Sequence, residues 1–174
     1  MKILIVSDIH GSLYYTKKLV EIYNKVKPNK IIILGDILYH GPRNNLTKDY
    51  NPKEVIKLLN NLKDKIIAVR GNCDAEVDQM VLDFDISADY KIITVDNHNF
   101  YLTHGHINDK LPKIQENDIL LTGHNHIYKL EKNHINPGSI SLPKKNKEHT
   151  LIIYENNKFS LYNENLKILE ELTI

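Results

Sequence analysis

Three short β-branched runs constrain this chain most strongly: KILIVS (Lys2 to Ser7), KIIILG (Lys30 to Gly35) and KIIAVR (Lys65 to Arg70) each read as a buried strand. Helical patterns separate them. Leu19, Ile22, Tyr23 and Val26 recur at i, i+3, i+4 and i+7, and Val55, Leu58, Leu59 and Leu62 repeat that spacing. Asn51 and Pro52 supply an N-cap and a first-turn proline for the second helix. Strand, helix, strand, helix, strand with right-handed crossovers predicts a parallel sheet whose strands open on one edge.

The second half has candidate strands at KIITVD (Lys91 to Asp96), FYLTHG (Phe100 to Gly105), DILLTG (Asp118 to Gly123), TLIIYE (Thr150 to Glu155) and KFSLYN (Lys158 to Asn163), with little room for helices. This predicts mixed or antiparallel pairing in a second sheet packed on the first. INPGS (Ile135 to Ser139) reads as a turn from its Pro-Gly content. The polar stretch from Tyr39 to Asn51 reads as a functional loop, and the tail NLKILEEL fits either a strand or a short helix. A chain of 174 residues can bury one sizeable core, and residues 1–174 read as a single domain.

Lys and Arg number 23 against 22 Asp and Glu, so no broadly basic surface for a stable nucleic-acid partner is expected. Asp8 and His10 cut off an N-terminal apolar run too short for a signal-peptide core. No apolar span approaches the roughly 20 residues of a membrane helix, so no membrane partner is expected. The single cysteine, Cys73, permits no intrachain disulfide and fits a reducing compartment; the cytoplasm is the expected location, and self-association stays open.

The strands end in SDIHG, GD, GN, THGH and TGHNH, which bring together Asp8, His10, Asp36, Asn72, His104, His124 and His126. Each piece alone has a bland reading. Asp-x-His is more often a turn with a helix cap, Gly-Asn is turn chemistry, and Gly-His-x-His is as often a packed or exposed pair. The combination decides, because α/β sheets bind ligands beyond the carboxyl ends of their strands. These side chains are too many for one zinc and suit two metals sharing a carboxylate. Their mixed nitrogen and oxygen donors favour manganese, zinc, iron, nickel or cobalt over calcium. His98, His134 and His149 stand apart and read as surface or turn residues, and KKNK (Lys144 to Lys147) as a solvated loop.

The order Asp8-x-His10, Gly35-Asp36, Gly71-Asn72, His104-Gly105-His106 and Gly123-His124-x-His126 resembles the calcineurin-like metallophosphoesterase signature across almost the whole chain. The runs SDIHGSL, LGDILYHGPRN, AVRGNCDAEVDQM and NPGSISLPK resemble the small bacterial YfcE-type phosphodiesterases. The resemblance implies an α/β fold, a four-layer αββα sandwich of two mixed β-sheets flanked by helices, with a dinuclear metal site at the strand ends. It implies a metal-dependent phosphodiesterase that hydrolyses a small phosphodiester by attack of a metal-bridging hydroxide, with manganese the first choice of metal. Asp8, His10 and His126 would hold one ion, Asn72, His104 and His124 the other, and Asp36 would bridge. Asp36, Asn72, Cys73 and His104 would stand at the reacting centre, and Arg43 and Asn44 would contact substrate. His106 is either a substrate or supporting contact or a side chain packed near the sheet edge. Two other readings remain: a non-catalytic scaffold with this fold, as in the eukaryotic retromer, and a nuclease or cyclic-nucleotide phosphodiesterase.

Most relatives carry histidine after the Gly-Asn pair, and that histidine is taken to protonate the leaving oxygen. Here GNCDAE places Cys73 there. Seven other ligands leave no need for it on the metals, and a hydroxide leaves no need for it as nucleophile. A thiol, mostly protonated at neutral pH, can donate a proton less well than imidazole, or can simply pack. A weakened or absent general acid is expected.

Overall fold

In a computed structural model describing residues 1–145 and 147–174, β1 (Ile3–Val6), β2 (Lys30–Ile33) and β3 (Ile66–Ala68) run parallel, joined by α1 (Leu13–Val26) and α2 (Pro52–Asn60). All four residues of β1 are fully buried because both faces of the strand are covered. Leu4 and Val6 belong to a cluster with Leu19, Ile22, Val55 and Leu59 of the helices. Ile3 and Ile5 belong to a second cluster with Phe100, Leu102 and Leu121. Each such side chain contributes roughly 1.5–3 kcal/mol relative to exposure.

Local chemistry sets the helix ends. Ser12 caps α1 by accepting the Tyr15 N–H, and Lys27 closes it at φ 51, its N–H donating to the Tyr23 carbonyl. Asn51 caps α2 through the Glu54 N–H with Pro52 in the first turn, as expected. Leu62 lies past the end of α2, before the 3-10 turn Lys63–Lys65.

The short helix α3 (Glu76–Gln79) precedes β4 (Tyr90–Val95) and β5 (His98–Thr103), which pair antiparallel. β6 (Ile119–Leu121), β7 (Tyr128–Glu131) and β8 (His134–Pro137) complete a five-stranded sheet in the order β4-β5-β6-β8-β7. β9 (Thr150–Glu155), β10 (Lys158–Asn163) and β11 (Ile168–Thr173) extend the other sheet to β11-β10-β9-β1-β2-β3. Two mixed sheets therefore pack on each other, but TLIIYE and KFSLYN join the first sheet rather than the second. The reason lies in β1: its second edge would otherwise be unpaired in the core, and β9 covers it antiparallel, with Ile5 opposite Ile152.

Two further local readings change. Ile135–Pro137 belongs to β8, and the turn begins at Gly138, φ +74. The ambiguous tail is β11, held because Leu169 and Leu172 pack against the intersheet cluster. Among the described residues no helix is long and apolar enough to cross a membrane.

Candidate metal centre

β1, β2 and β3 end along one edge, and the parallel pair β5 and β6 brings its own ends to the same place. The polar segments leave these strands through left-handed backbone at Asp8 (φ 57), His10 (φ 48), Asp36 (φ 56), His124 (φ 71) and His126 (φ 61). Such conformations cost free energy in non-glycine residues and persist where the surroundings over-determine them. Here the surroundings do so. The His10 N–H donates to the Asp36 carbonyl at 2.9 Å, and the Ser139 and Ser141 hydroxyls both donate to the Asp8 carbonyl at 2.8 Å. Gly71 is required because a Cβ there would collide with Asp36 Oδ1.

Three histidines are fixed in one tautomer. Nδ1–H donates to a backbone carbonyl in each: His10 to Tyr39 at 2.8 Å, His104 to Leu34 at 2.6 Å and His126 to Leu142 at 2.6 Å. Each Nε2 therefore presents a lone pair inward. His126 Nε2 lies 3.2 Å from Asp8 Oδ1, and His10 Nε2 lies 3.6 Å from both Asp8 Oδ1 and Asp36 Oδ2. Asp8 Oδ1 is buried and has no hydrogen-bond partner among the described residues. Lone pairs converging on an unpaired carboxylate oxygen call for a cation.

A second group adjoins the first. His104 Nε2 lies 3.3 Å from Asp36 Oδ2 and 3.0 Å from Asn72 Oδ1, and His124 Nδ1 lies 2.7 Å from the same Asn72 oxygen. Asp36 stands between the groups, its Oδ1 accepting the Cys73 N–H at 2.8 Å. Asp8, His10 and His126, and likewise Asp8, Asp36 and His104, offer ligand atoms within 4.8 Å of one another, close enough to hold a divalent ion.

The electrostatics agree with that donor set. Burial opposes ionisation of Asp8, yet the imidazoles of His10, His126 and His104 around it hold its carboxyl well below the usual range. Burial likewise opposes charge on His104, but Asp36 and Asp8 push it up to about 9. Asp8 and Asp36 are thus both held anionic among imidazoles, the charge that a divalent ion would meet.

A cavity of about 750 Å³ opens over these groups, with Arg43, Asn44, Cys73 and Lys144 on its wall. Arg43 is exposed, and Asn44 Nδ2–H donates to the His40 carbonyl at 2.8 Å, bracing the loop. His106 is not on the lining; its ring lies 5.4 Å from that of His104 and 6.1 Å from that of His124, with Nδ1 buried and unpartnered among the described residues. Cys73 is half-buried and accepts from Asn72 Nδ2 at 3.3 Å. Burial, with the neighbouring Asp36 carboxylate, pushes its thiol up to about 12, so no thiolate forms at neutral pH.

Sequence reading missed Asp74. Its buried carboxylate accepts the N–H groups of Asp36 and Ile37 at 2.8 Å and of Gly71 at 2.7 Å, clipping the loop after β2 to the loop after β3. The available signal was its place directly after Cys73. Lys144 was also missed as a site residue: exposed within the KKNK run, it lines the cavity. Asn146 of that run lies outside the described residues.

Residues 1–158 match the calcineurin-like phosphoesterase superfamily domain. The chain is 45% identical over 150 residues to phosphodiesterase YfcE of Escherichia coli, covering 83% of this chain and 82% of that protein. It is 30% identical over 135 residues to a phosphodiesterase of Methanocaldococcus jannaschii, covering 72% and 74%. The structure of the E. coli phosphoesterase YfcE superposes with a TM-score of 0.94 at 39% identity and covers 100% of each chain. Zinc-complexed Vps29 of Entamoeba histolytica shares the fold, with a TM-score of 0.67 at 19% identity over 99% and 98% of the two chains. A strand-end cluster of carboxylates and histidines, set in this fold and matched over most of its length, places the chain in the calcineurin-like phosphoesterase superfamily as a phosphoesterase.

Proposed function

We propose that the chain is a metal-dependent phosphodiesterase using two divalent ions, manganese first among them. Asp8, His10 and His126 hold one, Asn72, His104 and His124 the other, and Asp36 serves both. The observation that carries this reading is the unpaired Asp8 Oδ1 facing the Nε2 atoms of His10 and His126. When bound, two such ions would lower the pKa of a coordinated water toward neutrality, supplying hydroxide as the nucleophile, and would draw charge from the phosphorus.

The chain's own residues then set the reaction. Against two divalent ions, Asp8 and Asp36 leave about +2, or about +1 with the hydroxide present. Asn72 contributes a neutral carbonyl and adds no third negative charge. That small surplus suits a monoanionic diester. Arg43 offers its fork to a nonbridging oxygen, with Asn44 as a further substrate contact, and His106, off the cavity wall, supports His104 from behind. The Cys73 thiol, beside Asp36 and Asn72, is a poor proton donor, so esters with good leaving groups react best. A single cysteine fits work in the reducing cytoplasm.

Matched esters of 4-nitrophenol, the bis-ester against the monoester, test the reading on manganese-loaded protein. Faster hydrolysis of the diester is expected; a clear excess of monoesterase activity contradicts it. Binding of metal without hydrolysis of any ester favours a scaffold. Preference for oligonucleotides or cyclic nucleotides favours the nuclease class.

A further inference from the structure

We propose that Tyr39 and Lys144 form a subsite beside the metal centre for an aromatic ester group that carries its own negative charge. The inference deepens the phosphodiesterase reading and rests on it. Both residues line the cavity, and both are tied to the group formed by Asp8, His10 and His126. The Tyr39 carbonyl holds His10 Nδ1 at 2.8 Å, and the Lys144 N–H donates to the His126 carbonyl at 3.3 Å. A group lodged between them therefore sits next to a phosphorus bound at the ions.

Tyr39 is 42% exposed at this mouth although its ring is held. His40 packs edge-on against it at 4.8 Å, and Tyr50 packs edge-on against His40 at 5.1 Å. An exposed aromatic side chain that lines a cavity and is packed against a neighbouring ring can serve as a stacking platform that loses little entropy on binding. Lys144 is exposed and, unlike Lys129 and Lys158, which pair with Glu131 and Glu171, makes no ion pair among the described residues. Its ammonium is therefore free to meet an anion. The substrate class is a phosphodiester with one planar ester group bearing a carboxylate or a further phosphate.

Calorimetric titration of manganese-loaded protein with methylphosphonate, phenylphosphonate and 4-carboxyphenylphosphonate tests this without relying on turnover. Affinity should rise about fivefold from methyl to phenyl, as aromatic stacking allows. It should rise about threefold more with the carboxylate, as an exposed ion pair allows, and that increment should fade with added salt. Tyr39→Leu should erase the first increment and Tyr39→Phe retain it; Lys144→Gln should erase the second and Lys144→Arg retain it. Equal affinity across the series, or increments that survive Tyr39→Leu and Lys144→Gln, would overturn the subsite. If the increments appear as expected in a protein that hydrolyses no diester, the subsite stands and the phosphodiesterase reading falls.

Discussion

The Nε2 atoms of His10 and His126 stand 3.3 Å apart, and each ring spends its Nδ1–H on a backbone carbonyl. Neither nitrogen has a proton to offer the other while both rings are neutral, and Asp8 Oδ1 faces them with no donor among the described residues. Hydrogen bonding alone does not satisfy this arrangement. A cation does.

Asp36 is the residue whose loss should spread furthest, because its Oδ2 faces both His10 and His104. Asp36→Ala should reduce occupancy of both ions and cut the rate by more than the about 10- to 100-fold typical of losing an outer-shell partner. Metal analysis beside rate measurements checks this. Unchanged occupancy of both ions would refute the shared role.

Asp74 should behave as a positioning residue. Burial raises its carboxyl's pKa while the N–H groups of Ile37, Gly71 and Asp36 oppose that rise. Asp74→Asn sets an amide among those donors and should cost about 1–3 kcal/mol of stability in denaturant titration. The rate should fall with metal binding as the two loops part. A variant of full stability and unaltered metal affinity would show that the clip is dispensable.

For Cys73 the leaving group is the test. Cys73→Ser should stay active on 4-nitrophenyl esters, and Cys73→His should gain most on alkyl esters, where protonation of the departing oxygen matters. Inactivity of Cys73→Ser with both ions still bound would make the thiol essential.

Away from the site, Asp85 should contribute to acid stability. The Ser87 hydroxyl and N–H, with Lys91, hold its carboxyl at about 2 against an ordinary 3.8. A depressed folded value means that the contribution is present above 3.8 and is lost as pH falls through about 2. Acid unfolding of Asp85→Asn should show a shallower dependence over that interval; an unchanged profile argues against the contact.

Strand-end chemistry was legible in the sequence because β-branched runs stop where Asp8, Asp36, Asn72, His104 and His124 begin. Pairing was less legible. Nothing local in TLIIYE shows that Ile152 will lie opposite Ile5, since that choice depends on an edge almost 150 residues away. β8 was hidden by its Pro-Gly ending, and β11 by leucines spaced three apart, a helical interval that the strand accommodates through a register shift in its pairing with β10. Asp74 escaped for a related reason: its partners at Asp36 and Ile37 belong to another loop, and only the fold brings their N–H groups to its carboxylate.

Metal titration of rigorously metal-free protein, with bound manganese and diester hydrolysis recorded at each point, tests the central claim most directly. Activity should be absent at the start and should rise to a plateau at about two ions per chain, as a two-metal site requires. Full hydrolysis before any metal is added, or a plateau already reached with a single ion bound, would contradict it.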